Sequence, residues 1–420
     1  MHGFFNKHRF GEPQFLAGLL LLFFLAQCAW LVRSGPGSGR LNATQQVVIR
    51  RGLEQWQGKQ DQSSAPDALE GDKDGVEFPS SMTDTVATDV HRPPAISDPD
   101  HSALYYLVSA APLRFWPAGR ASDSVASWGW LASAPGLLFG LCLGASVWYV
   151  ARRLYGNAGG YIALTLFSFA PGLIRASAGW FAQPETGAAW GAFGAIFTGI
   201  AVAHTLYAPR EVVLWNWRRI LLLGVALAMG IGSQFSLVVL IPLVLAFVLY
   251  LAPTRRRAAL VIWGTACAIA SLLLLASYFF RIPAFYGAMR NAKFLPVTGR
   301  PFAMPGAYGQ LLRQMVENCP ALLVGLPAAL VVLVLWRRTR YFGNVAPLLV
   351  SVLFMALGLT MPHYPGLGFR LIALPFLFLF VAGIAADALE SRYRAVLPAI
   401  AGLLASYALW SMLEVARVRA

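Results

Sequence analysis

Long apolar segments alternate with short polar ones along most of the chain. A helix needs about 20 predominantly apolar residues to cross a bilayer. The pattern predicts an all-α polytopic membrane protein with about 11 transmembrane helices, at Phe15–Val32, Trp128–Val150, Ala158–Ile174, Gly187–Tyr207, Ile220–Gln234, Ser236–Tyr250, Ala258–Phe280, Cys319–Trp336, Val345–Met361, Leu371–Leu389 and Ala395–Leu413.

Two of these segments have alternative interpretations. Phe15–Val32 follows Lys7 and Arg9, as in a signal peptide, but the apolar run is long and no small-residue cleavage motif closes it. We therefore expect an uncleaved first span. The glycine-rich stretch Gly230–Gln234 predicts either a hairpin turn between the fifth and sixth spans or a break in one irregular element.

The composition excludes a soluble fold. Hydrophobic residues make up 57% of the chain and charged residues only 12%, whereas soluble domains carry about 25% charged residues. The net charge of +14 would suggest nucleic acid in a soluble chain. Here it indicates membrane orientation instead, and we expect no nucleic-acid partner. The four cysteines are at apolar spans and indicate packing rather than disulfides.

The distribution of charge predicts the orientation. With the N-terminus in the cytoplasm, the inner segments carry a net charge of +11 and the outer segments +3. The short inner loops contain dense arginine clusters, such as Arg255–Arg257 and Arg337–Arg340, as the positive-inside rule expects. We expect a multi-pass protein of a bacterial inner membrane with its active face outside the cytoplasm.

Most polar residues fall in two long outer loops. The first, 33–127, contains an acidic segment at 54–100 whose composition predicts a flexible insert, and an aromatic segment at 104–116 that predicts an interfacial helix. The second, 281–318, is basic and aromatic. The predicted organisation is therefore a tail and first helix at 1–32, the first loop, spans 2–7 at 128–280, the second loop, and spans 8–11 at 319–420.

Acidic residues at the outer face are candidates for acid–base chemistry. Glu185 opens an apolar span, where a carboxylate is costly unless it is hydrated, paired or bound. Helix capping is the structural alternative. The stretch Asp98–His101 offers two carboxylates and an imidazole, and its alternative is a turn. A site that combines carboxylates with a phosphate is also suited to Mg²⁺ or Mn²⁺, but the sequence leaves the metal unknown.

Basic residues at the same face are candidates for binding an anionic headgroup. Arg290 and Lys293 lie among aromatic residues in the second loop, and Arg370 opens a span. Such groups suit a lipid phosphate. Ordinary attachment to membrane lipids, or snorkelling in the case of Arg370, is the alternative.

Several local patterns resemble the GT-C membrane glycosyltransferases, the class that includes protein mannosyltransferases and lipid A aminoarabinose transferases. The similar stretches are Asp100–Leu107, Val150–Gly156, Phe169–Arg175, Gln183–Glu185 and His363–Pro375. Together with the layout of the loops, the resemblance covers the chain to about Ala386.

The resemblance implies transfer of a sugar from a polyprenyl-phosphate donor to a glycan, lipid or protein acceptor at the outer face. It implies an acid as base, cations on the departing phosphate, and a polyprenyl tail between the spans. The site residues expected from the sequence are Glu185, Asp100 and Glu54 for catalysis; Arg370, Lys293, Arg290 and Arg175 for the donor phosphate; and His101, Tyr105, His363, Tyr364 and Asn42 for positioning.

One departure from the family concerns its first-loop acid. The family usually has Asp or Asp-Glu about ten residues past the first span, and Asn42 stands there in this chain. An amide cannot act as a base, so Glu54, Asp98, Asp100 or Glu185 replaces the acid, or catalysis is lost. Two further hypotheses therefore remain: a non-catalytic subunit with this fold, and a carrier or flippase for a lipid-linked substrate.

Overall fold

The computed structural model describes residues 12–34, 43–57, 98–115, 125–179, 184–207, 217–295, 297, 299–335, 341–360, 368–390 and 395–417. In these ranges the chain forms fifteen α-helices and two 3₁₀ turns, and no β-strand. The prediction of an all-α polytopic membrane protein is confirmed.

The helices are numbered in chain order. They are α1 Glu12–Ser34, α2 Ala43–Trp56, α3 Ala103–Phe115, α4 Val125–Ser168, α5 Pro171–Ser177, α6 Glu185–Thr205, α7 Trp217–Ser233, α8 Leu240–Leu251, α9 Arg256–Ser277, α10 Ile282–Asn291, α11 Pro305–Asn318, α12 Ala321–Leu335, α13 Tyr341–Thr360, α14 Phe369–Leu389 and α15 Val396–Arg417. The 3₁₀ turns are Phe235–Val239 and Arg300–Ala303.

All eleven predicted spans coincide with helices. Within the described ranges, seven helices are long and apolar enough to cross a membrane, and α11 with α12 gives an eighth if this pair, bent by 110°, is one span. The difference from eleven has two causes. Helix α4 joins two predicted spans across a kink at Gly156, and α7 and α8 are short.

Two boundaries show how local chemistry divides the apolar segments. The third predicted span continues to Ile174, but helix α4 ends at Ser168 and Pro171 begins the separate helix α5. Proline lacks the N–H that a continuing helix needs and is well suited to the first turn of a new one. The predicted break after the fifth span is present, because Gln234 adopts an extended conformation between α7 and the 3₁₀ turn.

Helix α14 forms the centre of the bundle. It packs against α4, α6 and α13, and 83% of its apolar stretch is buried inside the protein, against 11% for α15. The outer helices expose leucine, valine and tryptophan side chains. In a membrane this arrangement places apolar side chains against lipid while the backbone polar groups are satisfied within each helix.

One end of the bundle collects the irregular elements. Gln45 of α2 donates to the carbonyl of Gly179 after α5 (2.9 Å), and Gln55 donates to the carbonyl of Ser277 at the end of α9 (3.3 Å). The first turn of α6 contacts the start of α14 through Glu185. We call this end, which holds α2, α3, α5 and the break after α7, the loop-bearing end.

Candidate functional site

The segment Asp98–Ser102 connects to the break that follows α7. The backbone N–H of Ser102 and its hydroxyl both donate to the carbonyl of Gly232, at 3.1 and 2.7 Å. A side chain at position 232 would place its Cβ 2.7 Å from the Leu104 side chain. Glycine therefore permits the close approach that brings Asp98–Ser102 against α7.

The same segment connects to the second predicted outer loop. The N–H of Phe235 donates to the carbonyl of Asp100 (3.0 Å), and the N–H of Lys293 donates to the carbonyl of Pro99 (2.8 Å). The turn before α3 is thus held on both sides by backbone hydrogen bonds, and the exposed Lys293 lies next to it. Three parts of the sequence that are far apart form one polar site.

Asp98 is the centre of a buried hydrogen-bond network. Its carboxylate accepts the N–H of Asp100 (2.8 Å) and the hydroxyl of Tyr106, and it lies 2.9 Å from Nδ1 of His101. Arg51 of α2 donates to the Tyr106 hydroxyl (3.2 Å). Burial acts to raise the pKa of Asp98, but these hydrogen bonds and the charge of His101 outweigh it and lower the pKa to about 2.

Asp100 has a different environment from Asp98. Its pKa is raised, chiefly by burial and by the nearby negative charge of Asp98, while His101 and Lys293 act in the opposite direction. A carboxylate with a raised pKa and partial exposure accepts a proton more readily than one saturated with hydrogen bonds. The two neighbouring acids therefore differ in basicity, and Asp100 is the more basic.

Tyr105 lies between two acidic parts of the site. Its side chain is buried, and its pKa is raised by burial and by the charges of Asp98 and Glu185, against a hydrogen bond with Ser109. Glu185, the first residue of α6, is 3% exposed and accepts the N–H of Gly368 at 3.1 Å. The capping interpretation and the functional interpretation of Glu185 are both compatible with this position.

Arg370 lies in the first turn of α14, two residues after the contact of Gly368 with Glu185. Its Nη2 is 3.5 Å from the carbonyl of Gly358, and its Nε is buried and has no hydrogen-bond partner among the described residues. An unpaired guanidinium N–H is costly in a buried setting. A ligand oxygen would remove that cost.

A cavity opens next to this network. It holds about 70 Å³ between α2, α3, α4, α6 and α7. The polar side chains that line it are Gln45, Tyr105, Ser109, Ser133, Thr186 and Ser233. A few polar groups among apolar side chains are typical of a small-molecule site.

Of the predicted site residues that the structure describes, Tyr105 alone lines the cavity, and three others are also outside the hydrogen bonds of Asp98. Arg175 forms an ion pair with Glu414 of α15 (3.9 Å), and Glu54 forms one with Arg50 on the same helix (3.0 Å). Arg290 is exposed on α10. Nothing in these contacts tests a catalytic or phosphate-binding role, so the three roles stay predictions.

Three further candidates, Asn42, His363 and Tyr364, lie outside the described residues. The interior of the predicted flexible insert, 58–97, also lies outside them. The two ends of that insert have defined structure, because Glu54 belongs to α2 and Asp98–Asp100 form the turn before α3.

Sequence reasoning missed Arg51 and Tyr106. Arg51 is not among the site residues expected from the sequence, and Tyr106 is predicted only as part of the aromatic interfacial helix. Their side chains meet with a cation–π distance of 5.7 Å as well as the hydrogen bond. Arg51 has no signal near it in the sequence, because its partner lies 55 positions away.

The metal expectation gains no support from the donor groups. In the part of the chain that the structure describes, no group of three or more His, Cys, Asp or Glu side chains is arranged to hold a metal ion. The hydrogen bonds of Asp98 instead go to protein donors. Mg²⁺ or Mn²⁺ stays a prediction.

Comparisons with known proteins identify the fold class. No protein-family model matches the chain, and no curated protein is similar to it by sequence. A similar solved structure is the archaeal oligosaccharyltransferase AglB from Archaeoglobus fulgidus, in complex with an inhibitory peptide and a dolichol-phosphate. The TM-score is 0.54 at 12% identity, over 97% of this chain and 56% of that one. The chain thus has a GT-C-like fold and spans about half the length of that protein.

Proposed function

We propose that the chain is a membrane glycosyltransferase that moves a sugar from a polyprenyl-phosphate donor to a hydroxyl of a glycan, lipid or protein. The observation that carries this proposal is the joint position of Asp100, Lys293 and the cavity at the loop-bearing end of a GT-C-like bundle. The AglB structure contains a dolichol-phosphate and a peptide, which supports a lipid-linked donor in this fold.

Asp100 is the proposed general base. The acceptor oxygen attacks the anomeric carbon, the bond between that carbon and the phosphate oxygen breaks, and the acceptor proton passes to the Asp100 carboxylate. The raised pKa of Asp100 suits this step. Asp98 is less suited, because its carboxylate already accepts hydrogen bonds and its pKa is lowered to about 2.

Two cations are proposed to bind the departing lipid phosphate. Lys293 is exposed and close enough to Asp100 to lower its pKa, and Arg370 has a buried Nε without a hydrogen-bond partner among the described residues. Positive charge on a leaving phosphate stabilises the transition state because negative charge develops there.

Glu185 is proposed to position Arg370 rather than to accept the proton. Its carboxylate accepts the N–H of Gly368 and so connects the start of α6 to the start of α14. It is also almost completely buried. This role differs from direct catalysis in its response to a glutamine, whose amide oxygen can still accept that hydrogen bond.

The loop-bearing end is proposed to face away from the cytoplasm. The arginine-rich segment Arg255–Arg257, between α8 and α9, lies at the opposite end, as the positive-inside rule requires. A bacterial inner membrane and a place in assembly of the cell envelope remain part of the proposal.

Transfer of a radiolabelled sugar tests the proposal. The purified protein, reconstituted in lipid nanodiscs, is supplied with polyprenyl-phosphate sugars and a membrane extract as the acceptor source. We expect Asp100→Asn to lower kcat by roughly 100-fold or more, and Lys293→Ala and Arg370→Ala chiefly to raise the KM for the donor. Glu317→Gln, in an exposed ion pair with Arg313, is the matched control.

Four results would contradict the proposal or parts of it. Full transfer by Asp100→Asn would exclude that residue as the base, and loss of transfer in Glu185→Gln with an unchanged donor KM would move the role to Glu185. Donor binding without transfer in the wild type would favour the non-catalytic subunit. Uptake of a lipid-linked substrate into proteoliposomes without transfer would favour the carrier.

A further inference from the structure

The cavity beside Tyr105 carries information about the substrate. We propose that it is a binding site for a neutral saccharide and that it rejects a sugar with a carboxylate. This inference deepens the proposed function and rests on it for its biological meaning. Its physical basis is the lining of the cavity alone.

The described lining is mostly apolar, and its polar groups are uncharged. Its polar side chains are hydroxyls and one amide, and no Asp, Glu, Lys, Arg or His is among the described residues that line it. A charged group that entered would lose its hydration without gaining an opposite charge, which is unfavourable. A sugar hydroxyl loses less hydration and can hydrogen bond to the lining.

Two hydroxyls of the lining, those of Ser133 and Thr186, act as acceptors toward a ligand. The Ser133 hydroxyl donates to the carbonyl of Ala178 (3.1 Å), and the Thr186 hydroxyl donates to the carbonyl of Gly136 (3.5 Å). Because their hydrogens are already used, their oxygen lone pairs face the ligand as acceptors. A ligand hydroxyl can donate to them, whereas a carboxylate cannot.

The charges behind the lining act in the same direction. Tyr105 lines the cavity, and Asp98 and Glu185 both act electrostatically on it. These carboxylates surround the site with negative charge but are not themselves in the lining. A ligand carboxylate would therefore be repelled and would find no cation among the described lining residues.

Two aromatic rings provide apolar surfaces that match the C–H faces of a sugar ring. The ring of Tyr105 packs against His101 with 4.9 Å between ring centroids, and Phe139 packs against Trp190 with 5.8 Å. Both rings are thus held in place before a ligand binds. A site that combines aromatic surfaces with a few fixed polar groups is typical of small-molecule recognition.

The cavity also has the right neighbours for transfer. Tyr105 follows His101 by one helical turn and precedes Tyr106, the hydroxyl partner of Asp98. Ser102 and Gly232 connect the same turn to the end of α7, where Ser233 lines the cavity. A saccharide in the cavity would therefore lie near the turn that contains the proposed base, Asp100.

Saturation-transfer NMR on the full chain in lipid nanodiscs tests this inference without requiring transfer. The probes are the methyl glycosides of glucose, mannose and galactose, with methyl glucuronide as the charged probe. We expect at least one neutral glycoside to bind, and methyl glucuronide to bind at least 10-fold more weakly, since unpaired buried groups discriminate strongly.

Substitutions at Ala132 connect the binding to the cavity. Ala132 lines it from α4, and Ala132→Leu should weaken binding of the neutral glycoside at least 10-fold, whereas the matched control Ala132→Ser should retain it. Val108→Phe, which fills the cavity from α3, is a second variant should Ala132→Leu fail to fold, and thermal unfolding verifies folding in each.

The inference is overturned if no neutral glycoside binds, if the glucuronide binds as well as the neutral probes, or if both folded filling variants bind like the wild type. These outcomes differ from failure of the proposed function. Glycoside binding lost on filling the cavity, without transfer from any donor, would keep the saccharide site and contradict only the enzyme.

Discussion

Asp98 offers a quantitative test of the network before α3. We expect Asp98→Asn to destabilise the protein at neutral pH by about 2 kcal/mol. Lowering the pKa of a carboxyl from 3.8 to about 2 is a change of about two pH units, each worth about 1.4 kcal/mol of differential stability. The side chain is only 16% exposed, so solvent screening removes little of this effect.

The sign of the pH dependence follows from the direction of the shift. A carboxyl whose folded pKa is lowered stabilises the protein above its unfolded pKa, and that contribution is lost as the pH falls from about 4 toward 2. The wild type should therefore lose about 2 kcal/mol of stability in this range through Asp98. Asp98→Asn should lack this part of the acid dependence.

Unfolding titrations in mixed micelles, followed by tryptophan fluorescence at neutral pH and toward pH 3, measure both quantities. Glu317→Gln is the matched control, since the Arg313–Glu317 pair is exposed and such pairs contribute about 0–1 kcal/mol. An Asp98→Asn variant as stable as Glu317→Gln, with the acid dependence of the wild type, would refute the network as a source of stability.

Three further predictions concern the same site and the packing below it. Tyr106→Phe removes a hydroxyl that donates to Asp98 and should lower the free energy of unfolding by about 1–2 kcal/mol. The loss of stability on acidification should also begin at a higher pH than in the wild type, and an unchanged pH dependence would contradict this. Gly191→Ala would place a Cβ 2.3 Å from the backbone of α7 and should lower the free energy of unfolding by about 1–3 kcal/mol. A Cβ added by Gly264→Ala would have no atom within 4 Å, so this variant should not be destabilised. Equal effects of the two substitutions in unfolding titrations would refute the close packing at Gly191. The rate of sugar transfer should fall as the pH drops through a pKa above 3.8, because Asp100 must be ionised to accept the proton, and an acid limb that persists in residual transfer by Asp100→Asn would exclude this assignment.

The apolar pattern predicted the helices because a bilayer leaves the backbone few alternatives. Each spanning segment must satisfy its own N–H and C=O groups, so its length and hydropathy identify it. The same argument could not place the break between Ser168 and Pro171, because both sides of the break are equally apolar. Glycine content did predict the break at Gly230–Gln234.

The site was predicted less completely, because it forms between residues far apart in the sequence. Asp98, Asp100 and His101 form a local cluster that the sequence shows. Nothing in their spacing indicated that Asp98 would accept several hydrogen bonds and that Asp100 would be the more basic carboxylate. That difference comes from Tyr106, supported by Arg51 of another helix. Contacts that depend on tertiary packing leave no periodic signal in one sequence.

The role of Arg175 also depends on tertiary packing and stays a prediction. A resemblance to a family pattern suggested a phosphate-binding role, and the guanidinium lies 3.9 Å from Glu414, which is near the end of α15. The neighbouring residue, Ala176, lines the cavity. Successive residues of a helix point about 100° apart, so the rotation of a helix about its axis decides which side chain faces a cavity, and hydropathy alone does not determine that rotation.

The central position of α14 has a consequence for the biogenesis of the protein. Helices α4, α6 and α13, which surround α14, precede it in the chain, so a ribosome synthesises the walls of the bundle before its middle. Transmembrane helices can insert individually and associate afterwards. The earlier helices must therefore remain in the bilayer with their inner faces exposed, and the bundle is fully packed only after α14 has inserted between them.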